Sequence, residues 1–256
     1  MIESLPFFVD TGLSSWVLYG LIAASFMTSA LTAAFGIGGG VALLAIMSMA
    51  MPVATLIPVH GIVQMGSNAG RSWHFKRFIQ WPFILAFAIG AAIGTAIGSQ
   101  FVVALPDNLL KLILALFVLF LVWGPKPKRV RGGNGAIAMG GGLSSLAGMF
   151  VGATGPLVGA IVAGRADERQ AIVATHACAM TLQHGLKILA FGAIGFAFQT
   201  WLGLLIAMIA SGYAGTIVGG AILKRMPDHY FRVIFKGLLT LLALMMLGKA
   251  LLGFAE

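Results

Sequence analysis

Charge is what this chain has least of. Only 9% of its 256 residues are charged, against 59% that are hydrophobic, and the mean hydropathy is +1.00. A water-soluble fold of this size carries about 25% charged residues to cover its surface. A soluble globular domain is therefore excluded, and the chain is read as lying in a bilayer. Cysteine is nearly missing too. Cys178 stands alone, which rules out an intramolecular disulfide and leaves helix packing as its simplest role. Acids are scarce: Glu3, Asp10, Asp107, Asp167, Glu168, Asp228 and Glu256 are all there are, and each maps to a terminus or a loop. With no carboxylate in the apolar stretches, a sodium site, a drug-cation site and a carboxylate proton relay are disfavoured. The first ten residues carry Glu3 and Asp10 where a signal peptide would carry basic residues, so no cleaved signal is expected. There is no HExxH, no paired carboxylates and no CxxC. His176 and His184 lie eight residues apart, about 12 Å along one helix and too far to chelate one ion. No catalytic centre, metal or cofactor is expected, and the protein is read as not an enzyme.

What charge there is has a pattern. The net charge of +9 does not form a basic face for nucleic acid. It gathers at Lys76 and Arg77, at Lys126, Lys128, Arg129 and Arg131, at Arg165 and Arg169, and at Lys224 and Arg225. In a membrane protein such clusters read as cytoplasmic anchors.

The sequence also repeats. Shifting it by 116 residues lays FGIGGG (35–40) on VGATGP (151–156), His60 on His176, Asn68 on His184 and Arg71 on Lys187. A shift of 121 lays GTAIG (94–98) on GTIVG (215–219) and Pro106-Asp107 on Pro227-Asp228. One interior gap reconciles the two offsets, giving a first membrane repeat over 1–130 and a second over 131–256 within one transport domain. Each repeat divides into five hydrophobic pieces, near 14–35, 39–50, 54–75, 79–104 and 107–124, then 136–151, 155–164, 168–190, 196–223 and 228–252. A full span needs about 20 residues. The pieces at 39–50 and 155–164 are too short, and each joins its predecessor through a glycine-rich break. A hairpin or broken helix with its bend inside the membrane is expected, which is tolerated only where protein or a water-filled cavity surrounds it. An odd number of pieces per repeat inverts the second copy, and all four basic clusters then fall on the cytoplasmic side. The expected fold is an all-α polytopic membrane protein of two inverted-topology repeats, an architecture of secondary transporters.

Two of the pieces carry polar stripes. His60, Gln64, Ser67 and Arg71 fall within roughly a 60° arc of one helix face, with Asn68 beside them. His176, Gln183 and Lys187 repeat that arc, with His184 adjacent. Ionisable groups inside a membrane are functional candidates by default. Plainer roles compete for several of these residues. Arg71 lies near a helix end and can snorkel. Gln64, Asn68 and Gln183 serve equally as interhelical glue. Lys187 falls toward the outer leaflet, where the positive-inside pattern gives no reason for it. Trp73, Trp81 and Trp123 read as interfacial belts, and GTAIG and GTIVG as close-packing seams. In GIGGG and GATGP a helix breaks and another starts, exposing amides at a positive dipole end near Gly38, Gly39, Thr154 and Gly155. These residues and the two stripes are expected to bind a small anion in a passage between the two halves.

GIGGG after the first hydrophobic piece, GATGP as its counterpart and the duplicated polar helix together resemble the sulfite exporter TauE/SafE family of bacterial membrane permeases. The resemblance covers essentially the whole chain. It implies a multi-pass permease of the bacterial inner membrane, among membrane lipids and compatible with a homodimer. Its cargo would be small sulfur-containing anions such as sulfite, sulfoacetate, isethionate or other sulfonates. Ala153 and Thr154 interrupt the glycine run of the second copy, so the two half-sites are not equivalent. The expected activity is export by alternating access. An anion channel and a proton-coupled uptake permease, with the histidines carrying protons, are the alternatives.

Overall fold

The computed structural model describes residues 11–35, 38–102, 105–125, 132–166, 168–222 and 228–255. Among them the chain is all helical: α1 Ser15–Phe35, α2 Gly39–Met47, α3 Val53–His74, α4 Trp81–Val102, α5 Asp107–Trp123, α6 Asn134–Val151, α7 Gly155–Ala163, α8 Arg169–Ala193, α9 Leu202–Ile222 and α10 Asp228–Ala255, with 3₁₀ turns at Lys76–Phe78 and Phe198–Trp201. The ten helices fall on the ten hydrophobic pieces. The ninth piece differs most, because Gly195, at φ 91°, ends the run after α8 and a 3₁₀ turn precedes α9. Among the described residues four helical stretches are long and apolar enough to cross a membrane: Ser15–Ala33, Trp81–Val102, Phe198–Gly219 and Lys236–Phe254. Helices α3 and α8 have the length, 22 and 25 residues, but carry the polar stripes. Helices α2 and α7 have nine residues each, about 14 Å, half the ~30 Å core. The basic residues Lys126, Lys128, Arg129, Arg131, Lys224 and Arg225, with Gly36 and the acidic Glu3, Asp10, Asp167 and Glu256, lie outside the described residues.

The chain forms two compact units, and neither is a sequence half. One takes residues 1–60, 106–125 and 197–256; the other takes 61–105 and 126–196. In the first, α1 packs on α9 and α2, and α10 on α5 and α2. Asp107, the first residue of α5, accepts the amide of Val53 at 2.7 Å and so caps the start of α3. In the second, α4 packs on α6 and α8, and α7 on α8 and α6. Its core joins Phe83, Phe87 and Ala91 of α4 to Ile137 of α6, Val158 and Val162 of α7, and Met180 of α8.

The two principal seams match residue for residue. A Cβ added to Gly94 of α4 would run into the carbonyl of Gly142 on α6, and one added to Gly215 of α9 into the carbonyl of Phe26 on α1. Gly94 and Gly215 are equivalent by the shift of 121, and Phe26 and Gly142 by the shift of 116. Gly98 meets Met149 and Leu146, while Gly219 meets Ala30. Where α9 has Ser211, donating to the Ile22 carbonyl at 2.7 Å, α4 has Gly90 against the carbonyl of Ala138. Where α1 has Ser25, donating to the Met208 carbonyl at 2.7 Å, α6 has Gly141, whose Cβ would lie 2.6 Å from the Phe87 carbonyl. Each unit thus pairs the first of the five helices in one half of the sequence with the fourth in the other. Small residues let the backbones touch, which is how helices associate without a hydrophobic driving force.

Candidate functional site

The second unit holds most of the polar stripe, and α8 organises it. His176 donates its Nε2 proton to the Gly155 carbonyl at 3.0 Å, since a carbonyl can only accept. Gln183 donates from Nε2 to the Ser144 carbonyl at 3.0 Å and to Thr154 Oγ1 at 2.7 Å. Lys187 donates from Nζ to the Gly152 carbonyl at 3.0 Å. As residue numbers rise along α8, the partners fall from 155 through 154 to 152. One face of α8 therefore grips the whole break between α6 and α7.

The break itself follows from its residues. Gly152 closes α6 at φ 72°, a conformation that disfavours a side chain. Pro156 sits in the first turn of α7, where its missing N–H costs nothing, and Thr154 at the N-cap makes no side-chain bond to the amides behind it. The Leu157 and Val158 amides return to the Thr154 carbonyl at 3.0 and 3.1 Å. The negative end of α6 and the positive end of α7 meet here, with Lys187 on the carbonyl of the first.

Lys187 is 1% exposed, as are Gln183 and His184. Its stem runs past Gly61 of α3, where a Cβ would come within 3.4 Å of Cδ. The one ion pair among the described residues is Lys111 with Asp107, 2.6 Å apart in the other unit. Lys187 is thus a buried cation whose partner among the described residues is a single neutral carbonyl. Arg71 is half-buried and turns to its own helix: it donates to Asn68 Oδ1 at 3.0 Å and to the Ser67 carbonyl at 3.5 Å, while Asn68 donates to the Gln64 carbonyl at 2.8 Å.

The structure therefore sets three of the expected α8 residues on the α6–α7 break, His176 on Gly155, Gln183 on Thr154 and Lys187 on the neighbouring Gly152, with His184 buried on the same helix. Gln64, Asn68 and Arg71 lie in the same unit, bonded among themselves. His60, Gly38 and Gly39 belong to the other unit and make a parallel arrangement there. His60 donates to the Gly40 carbonyl at 2.9 Å, on the first turn of α2, as His176 does on the first turn of α7. Gly38 takes φ 111° at the N-cap of α2, and a Cβ on Gly39 would strike Thr28 and Thr32 of α1. Both histidines thus spend their Nε2 protons holding short helices in place. Sequence reasoning missed Ser144, Gly148 and the Gly152 carbonyl. It also missed the capping role of Asp107, although the repeated Pro-Asp pair marked it.

A family model described as "Sulfite exporter TauE/SafE" matches residues 21–246. No curated protein and no solved structure matches the chain.

Proposed function

The chain belongs to the sulfite exporter TauE/SafE family, and from that membership we propose that it exports small sulfur-containing anions across the bacterial inner membrane by alternating access. Its binding site, in this reading, is the cluster at the α6–α7 break. The observation that carries it is Lys187: an ammonium 1% exposed, bonded to one neutral carbonyl. A buried charge is costly unless it is paired. Nζ has three N–H groups and one is committed, so two remain for a ligand whose charge balances it. A sulfonate or sulfite offers several acceptor oxygens and negative charge, and suits the Gly155 amide at the start of α7, the Thr154 hydroxyl and the ammonium together. Arg71 supplies a second positive charge in the same unit, and the inverted repeat supplies the two alternating states. The matched α1–α9 and α4–α6 seams support the repeat. Interior-negative potential favours outward movement of an anion by about 2.3 kcal/mol per charge per 100 mV, so export requires no coupling ion.

The test is flux of labelled sulfite, isethionate and sulfoacetate into proteoliposomes, with and without an imposed potential and a pH gradient. Saturable flux driven by potential alone is expected. Dependence on the pH gradient would replace the uniport mechanism with a proton-coupled one. Ohmic currents far above carrier rates would replace it with a channel, and absence of flux for all three anions would remove the reading.

A further inference from the structure

The amide of Gln183 is oriented by its neighbours. The atom 3.0 Å from the Ser144 carbonyl must be the NH₂, because turning the amide over would set two acceptors against each other. Its two N–H groups go to Ser144 and Thr154. Gly148 lets the amide lie against α6, since a Cβ there would come within 2.8 Å of Nε2. That leaves Oε1, which is buried and has no hydrogen-bond donor among the described residues. One turn along the same face, Lys187 Nζ keeps two uncommitted N–H groups. The face therefore sets a cationic donor and a neutral acceptor about 6 Å apart along the helix axis.

Resting on the reading of this cluster as the anion site, we propose that Gln183 is a specificity determinant: its Oε1 selects anions that carry a hydrogen-bond donor of their own over anions that only accept. Leaving a buried acceptor without a donor costs about tenfold or more in an equilibrium constant, and a ligand O–H or N–H relieves that cost where a methyl group cannot. Isethionate meets the requirement, with a hydroxyl two carbons from its sulfonate. Ethanesulfonate has the same carbon chain and no donor. Ionised sulfoacetate has acceptors alone and brings a second negative charge toward Oε1, so it is transported less well than isethionate. Hydrogensulfite is accepted in preference to the sulfite dianion on the same ground.

The experiment compares isethionate with ethanesulfonate in proteoliposomes, and needs no variant for its first arm. The wild-type protein should favour isethionate in kcat/KM by about tenfold or more. Gln183→Met, similar in length and without the acceptor, should bring the two substrates together. Thr154→Val removes one partner of Nε2 but leaves Oε1 in place, and should keep the preference. Equal kcat/KM values in the wild type would overturn the proposal while leaving the transport reading intact. A preference that survives in Gln183→Met would overturn the assignment to Gln183. No flux of either sulfonate or of sulfite would remove the transport reading, and this proposal with it.

Discussion

At the scale of single residues, the proposed site turns on Lys187, a buried lysine bonded to the Gly152 carbonyl. Replacing it with methionine keeps the stem beside Gly61 and removes the charge. If its ammonium balances the transported anion, transport should fall roughly ten- to hundredfold, the worth of one charge-assisted hydrogen bond, while the amount of protein in the membrane is unchanged. Flux normalised to immunodetected protein measures this, and unchanged flux would take Lys187 out of the site. That Lys187 is unusual was legible in the sequence. A lysine in an apolar stretch, away from any basic cluster and matched by Arg71 at the 116-residue offset, is already anomalous. Its partner was not legible, because a backbone carbonyl leaves no trace in residue type. The same holds for Gln183, whose anchor is the carbonyl of Ser144 rather than a side chain. Asp107 was visible as a repeated Pro-Asp pair, yet its contact with the Val53 amide spans 54 residues, and no local pattern reports a cap supplied from so far away.

At the scale of helices, length and hydropathy placed all ten, since each is set by local composition and bounded by glycine, proline or charge. What local composition could not supply is which helices are neighbours. The glycines of GTAIG and GTIVG announced close packing, but not that α4 would meet α6 or that α9 would meet α1. The seams make a sharp prediction. Gly94→Val and Gly215→Val each push a side chain into a backbone carbonyl that cannot retreat without moving its helix. Each should destabilise the protein by more than the ~1–3 kcal/mol usual for overpacking, lowering the melting temperature in detergent. Gly237→Ala on α10, with nothing within 4 Å of the added methyl, should leave it unchanged or slightly raised. Equal melting temperatures for all three variants would mean that the seams are looser than these close approaches require.

For the whole molecule, the expected repeats and the observed compact units divide the chain differently. Each unit draws helices from both halves of the sequence, so neither 1–130 nor 131–256 contains a complete unit. Expressed alone, each half should be degraded or aggregate. Co-expressed, they should associate and regain flux, because the seams that join them are non-covalent. Co-purification of the halves, followed by the flux assay, tests this; a half that is stable and monodisperse alone would contradict it.

The pairing of α1 with α9 also sets a timetable. Ser25 and its acceptor Met208 are 183 residues apart, and at about 5–20 residues per second of synthesis roughly 10 to 35 seconds separate their appearance. The unit that holds Gln183 and Lys187 is complete once residue 196 has been made. Helix α1 thus waits through the synthesis of seven further helices for α9, although α2 follows it directly. Until then its serine face must be sheltered by lipid, by the insertion machinery or by a chaperone.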